Sequence, residues 1–151
     1  MSHETPRVQV CLRPFTPQEV QQRQQEVLDR IEALAADGVL TATVDWWSPR
    51  VSPPDCDGPL RGGCPPVVTE LLALADREGF SLEPFIGKHA GTLPGRDDSL
   101  VLPVICLVVR VDDEIGGLYP VRVDGRTYTV EDGLATLEAG EDGLNLRLTR
   151  A

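Results

Sequence analysis

The sequence predicts an α+β domain, a mainly antiparallel sheet with two principal helices on one face, in the split-βαβ or ferredoxin-like style. Three observations lead there. Short segments with a two-residue apolar period recur along the chain. Two amphipathic segments with helix start and stop signals fall between them. A hairpin signal, a small helix and a last alternating segment complete the order. At 151 residues the chain fits one domain, expected over residues 7–150 after a disordered stretch at 1–6.

The first strand is expected in residues 7–15, "RVQVCLRPF", where Val8, Val10 and Leu12 alternate with Gln9, Cys11 and Arg13. A helix follows. Thr16 is a candidate N-cap, Pro17 suits the first helical position, and Glu19 completes a capping box. Val20, Val27, Ile31 and Leu34 form its apolar stripe, with Gln21, Gln22, Gln24 and Gln25 expected to face water. Gly38 suits the left-handed stop. Residues 39–47, "VLTATVDWW", are rich in β-branched and aromatic side chains and read as a strand.

The second helix is expected in residues 65–79, with Val68, Leu71, Leu72 and Ala75 on one face and Gly79 as its stop. A short strand is expected near residues 82–85. Residues 100–111, "LVLPVICLVVRV", form a continuous apolar run, as a strand covered on both faces requires. Pro103 cannot donate to a ladder, so a strand end or bulge is expected there. "DDEIGG" should turn the chain, and Asp124-Gly125 should turn a hairpin. Thr129 caps a short helix stopped by Gly140, and residues 144–150, "LNLRLTR", read as a closing strand.

Charge is the strongest compositional signal. The chain holds 24 Asp and Glu against 14 Lys and Arg, a net charge of −10. Among its basic residues Lys88 is the one lysine; the rest are arginine. Such self-repulsion is tolerated where concentrated salt screens it, so the composition points to a salt-rich cytoplasm. Net charge does not settle the nucleic-acid question, because acidic surfaces are general in molar salt. The start "MSHETPRVQV" lacks a basic region followed by an apolar run, and the apolar stretch 100–111 is too short to span a bilayer. A cytoplasmic location without membrane contact is expected, in which four cysteines are free thiols rather than a disulfide framework.

Chemistry-bearing residues are few. In residues 52–66, "SPPDCDGPLRGGCPP", Cys56 and Cys64 are separated by seven residues, against the two to four of paired zinc ligands. His89 could add a third metal ligand, but Cys11 and Cys106 fall in predicted strands as small core residues. Two loop thiols are therefore expected, with Cys56, Cys64 and His89 as the metal candidates that remain. "IGKHAG" (residues 86–91) lacks the leading glycine and the Ser or Thr of a phosphate loop. No catalytic set and no cofactor site are expected. Trp46 and Trp47 are adjacent on a strand and so face opposite sides. One can enter the core while the other, beside Arg50, meets a protein partner. Trp46, Trp47 and Arg50 are the partner-binding candidates. Helix, glycine turn and strand through residues 26–47 have the order of a winged-helix reader, but Arg23 and Arg30 are the helix's only cations.

Five segments, "VQVCLRPF", "QEVLDRIEALAADG", "SLEPF", "LVLPVICLVV" and "TYTVEDGLATLE", together resemble a group of small haloarchaeal proteins, some labelled helix-turn-helix domain proteins. They span residues 8–138. The resemblance implies a haloarchaeal cytoplasmic protein with a regulatory or nucleic-acid role, and transfers no catalytic residue. The function expected is a non-enzymatic regulatory or interaction domain of a halophilic cytoplasm, DNA-associated as the resemblance implies. Its partner is a protein or a second copy, dimerising through a sheet edge or the tryptophan region. The alternatives are a metal- or thiol-dependent protein using the Cys56/Cys64 loop, and a small-molecule-binding domain.

Overall fold

The computed structural model describes residues 5–47, 50–51, 66–80, 82, 87–89, 99–123, 125–141 and 143–146, with backbone alone at 50–51, 87–89 and 99–101. The principal sheet has four strands in the order β2-β1-β6-β7, built from β1 (Arg7–Leu12), β2 (Thr41–Trp46), β6 (Ile105–Val111) and β7 (Glu114–Tyr119). β1 runs antiparallel to β6, and β6 antiparallel to β7, while β1 and β2 are parallel. A second sheet joins β3 (Arg50–Val51), β5 (Ser99–Val101) and β4 (Gly87–His89) in the order β3-β5-β4. A hairpin of β8 (Val121–Val123) and β9 (Arg126–Tyr128) follows β7. The helices are α1 (Gln18–Ala36), α2 (Pro66–Glu78) and α3 (Val130–Glu138).

The α+β class and the mainly antiparallel sheet are as expected, but two features of the arrangement differ. β1 and β2 are direct neighbours, so no strand divides the β1–α1–β2 unit as a split unit requires. The helices also divide between faces. Val8, Val10 and Leu12 of β1 pack with Leu107 and Val109 of β6 under α1 and α3. Cys11, Cys106 and Val108, on the opposite face, pack with Val68, Leu71 and Leu74 of α2. The cause is the composition of β1 and β6, which are apolar on both faces near their centres. Cys11 is as fully buried as Val10, so β1 is not half-buried there.

Local signals placed most boundaries. Gly38 and Gly79 adopt φ +77 just beyond α1 and α2, the conformation that glycine enters without a Cβ penalty. Thr129 caps α3 through a complete capping box with Asp132. Pro103 separates β5 from β6, which belong to different sheets. The β8–β9 hairpin forms as expected. The turn before β7 is shorter than expected, since Asp112 and Asp113, at φ 54 and 65, make it alone. Gly116 is the extra residue where the β6–β7 register shifts, so "EIGG" lies in the strand.

Three other expectations are corrected. Thr16 does not cap α1: Pro17 occupies the N-cap with no side-chain cap bond, and the Thr16 carbonyl accepts from Gln21 Nε2 at 2.9 Å. Gln24 does not face water. It is 4% exposed, and its Nε2 donates to the carbonyls of Arg13 (3.0 Å) and Val104 (2.9 Å), closing the end of the β1–β6 ladder. Residues 144–146 are not a strand. They run beside β7, where the Asn145 carboxamide accepts from Leu118 N–H and donates to Leu118 C=O, both at 2.9 Å. Leu146 N–H donates to Gly116 C=O at 3.1 Å. One side chain thus makes the pair of bonds that a strand backbone would have made. Leu82 is buried outside any strand; residues 83–85 and 147–150 lie outside the described residues.

Candidate functional site

The two edges of the principal sheet are treated differently. β7 is covered by residues 143–146, and Gly117 permits that approach, because a Cβ there would stand 2.3 Å from the carbonyl oxygen of Gly143. β2 has a neighbour on one side only among the described residues. Thr41 N–H donates to Pro6 C=O and Trp47 N–H to Leu12 C=O. Alternation then turns the N–H and C=O groups of Thr41, Thr43 and Asp45 toward β1, and those of Ala42, Val44 and Trp46 outward. Among the described residues the outward set is an unpaired edge.

Side chains divide with the same period. Trp46 registers with Leu12 and so lies on the α1 face, 60% exposed. Trp47 enters the core beside α2, 5% exposed, and its Nε1 donates to the Pro103 carbonyl at 3.0 Å. Val44 is 42% exposed on the face of Trp46. Phe15 stands beyond the end of β1, 100% exposed with φ 57. A bulky residue in that conformation costs roughly 1–2 kcal/mol and here gains no burial in return. Between Phe15 and Trp46 lies a groove of about 390 Å³, lined also by Arg13, Pro14, Gln24 and Leu28. The Arg13 guanidinium donates to the Leu102 carbonyl, which holds this end of the sheet closed.

The arginines whose side chains are described are mostly committed. Arg30 bonds Glu138 (2.9 Å) and Glu131 (2.7 Å), tying α1 to α3; these bonds raise its own pKa and lower those of both carboxyls. Arg110 bridges to Glu70 of α2, and Arg7 to Asp113. Arg122 and Arg126, on the β8–β9 hairpin, are exposed and make no ion pair among the described residues. Arg126 lies 4.6 Å over the Tyr128 ring.

Cys56 and Cys64 lie outside the described residues. His89 lies in β4, its backbone opposite Ser99, and Arg50 lies in β3; only their backbones are described. Cys11 and Cys106 face each other across β1 and β6 as free, buried thiols. Burial pushes Cys11 up to about 12, with Asp45 adding to the shift, and raises Cys106. Such thiols carry little thiolate and are poor nucleophiles or ligands. Among the described residues no group of three His, Cys, Asp or Glu could hold a metal ion, and no helix is long and apolar enough to cross a membrane. Trp46 is legible in the sequence as a partner-binding candidate, whereas the two-residue period of residues 7–15 carries Phe15 into the end of a strand. The signal was present in Arg13-Pro14-Phe15, an aromatic between a proline and the start of a helix.

The features define a small α+β domain that offers an aromatic surface beside an open sheet edge. A family model described as a helix-turn-helix domain matches residues 1–142, and the chain belongs to that family. No curated protein and no solved structure matches it. Among the described elements no helix follows another across a short turn. α1 leads into β2, which pairs in parallel with β1 instead of forming a wing, and α3 follows the β8–β9 hairpin.

Proposed function

We propose that the chain is a non-enzymatic regulatory domain of a salt-rich, haloarchaeal-type cytoplasm that works by binding another macromolecule through the surface around Phe15 and Trp46. The observation that carries this reading is the pairing of a fully exposed, left-handed Phe15 with Trp46 across one groove. Exposed aromatics that gain nothing in the isolated chain gain most when a partner covers them. Family membership supports the regulatory role. The test is complementation of a strain lacking the protein with a Phe15→Ser, Trp46→Ser variant. Transcript levels should remain at the deletion pattern, while far-UV circular dichroism shows a folded chain. Full restoration of the wild-type pattern would overturn the reading.

DNA association is a second reading, favoured by the exposed Arg122 and Arg126 on one hairpin and by the family description. The two arginines lie on opposite faces of the hairpin, and on the helices Arg23, Arg30 and Arg77 are all bound to carboxylates. Removing an arginine that neutralises a phosphate should flatten the salt dependence of binding by about one unit of slope. DNA capture in molar potassium chloride should therefore weaken in an Arg122→Gln, Arg126→Gln variant. Capture no greater than that of a control acidic protein sinks this reading.

A further inference from the structure

We infer that the partner of the β2 edge is a second copy of this chain, joined antiparallel about a two-fold axis at Val44. The inference rests on the reading of this region as an interaction surface and names its occupant. The outward backbone groups belong to Ala42, Val44 and Trp46, and in an isologous antiparallel pair outward residues must meet outward residues. An axis at Val44 uses all three: Val44 opposes its own copy, and Ala42 opposes Trp46 of the other chain. The largest side chain of the row then lies across from the smallest, on the face that carries the exposed indole. On the other face Asp45 opposes Thr43, so no like charges meet. That matters in a chain with a net charge of −10, because like charges set directly opposite each other oppose pairing. Each Asp45 is moreover held by Gln9 Nε2 at 2.8 Å. The second sheet edge is closed within the chain by Asn145 and Leu146, so association through β2 yields a closed dimer and not a filament.

Light scattering of the full chain in about 1 M potassium chloride, where the Debye length falls to about 3 Å, should give twice the chain mass. Val44→Pro removes an outward N–H and leaves the β1–β2 ladder intact, so a folded monomer is expected. Val44→Cys places two thiols at a Cα separation of about 5.5 Å across the axis, within disulfide range. Diamide, which accepts the two electrons and two protons released, should then cross-link it to a covalent dimer. Thr41→Cys, about 20 Å from its own copy at 3.4 Å per residue, should behave as the unsubstituted chain does. A monomer at every concentration overturns the inference, as does a Val44→Pro chain that remains dimeric or a Val44→Cys chain that does not cross-link. A monomer whose Phe15→Ser, Trp46→Ser variant still fails to complement overturns the second copy alone and leaves the interaction surface standing. A dimer with the expected cross-link whose surface variant complements fully upholds the pairing and removes its regulatory role.

Discussion

Trp47 Nε1 donates to the carbonyl oxygen of Pro103 at 3.0 Å, joining the end of β2 to the break between β5 and β6. The proline leaves the ladder at that point, and the indole supplies the donor its carbonyl would lack. The adjacent Trp46 makes the opposite use of the same ring, facing out beside Phe15.

This division predicts two separable tryptophans. Iodide should quench Trp46 emission and leave Trp47 emission nearly untouched. Trp47→Phe should lower stability by roughly 1–3 kcal/mol, because a part-buried carbonyl loses its donor. In the monomeric Val44→Pro background, Trp46→Ser should change stability by less than about 0.5 kcal/mol, as surface substitutions do. Denaturant melts of the two variants check this; an equal loss in both would mean Trp46 is also structural.

The paired thiols Cys11 and Cys106 make a prediction about pH. In a Cys56→Ser, Cys64→Ser background a thiol reagent should label neither remaining cysteine until the chain unfolds globally. The folded pKa of Cys11 is raised to about 12 by burial, above an unfolded value of about 8.5. A raised acid pKa means that stability is full below about 8.5 and falls as pH rises toward about 12. Melting temperature should therefore decline across that alkaline window, and less so in a Cys11→Ala variant. An identical alkaline profile in both would remove the thiol as the cause.

Gly133 sets the distance between α3 and the sheet. A Cβ there would stand 2.6 Å from the Tyr119 ring, which is itself held by a 2.8 Å bond from its hydroxyl to the Gly143 carbonyl. Gly133→Ala normally favours a helix, by up to about 1 kcal/mol. Here overpacking should win, at roughly 1–3 kcal/mol. A Gly133→Ala, Tyr119→Leu double variant should recover part of the loss in a chemical melt. A stabilised single variant would show that the ring can move aside.

Residues whose structure depends on their immediate neighbours were legible in order. Gly38, Gly79 and Gly140 stop helices, Thr129 caps α3, and Pro103 breaks the apolar run, because each acts on backbone within a turn of its own position. Gly125, at φ +79, turns the β8–β9 hairpin for the same reason. The adjacency of Trp46 and Trp47 allowed one ring to enter the core while the other faced out, since strand side chains alternate, but did not say which one.

That choice came from elsewhere in the chain. Trp47 is the buried ring because Pro103, 56 residues away in sequence, presents an acceptor on the α2 face. Gln24 is buried because two carbonyls at the end of β1 and before β6 need its amide. Asn145 replaces a strand because Gly117 lets its segment approach β7. In each case a polar group was committed by a partner distant in sequence, and periodicity carries no information about such partners. Local chemistry in the chain therefore decided where its elements begin and end and that the domain is α+β. The packing of β1 and β6, apolar on both faces, decided which helix covers which face, which edge is closed, and that Phe15 and Trp46 are left in the open.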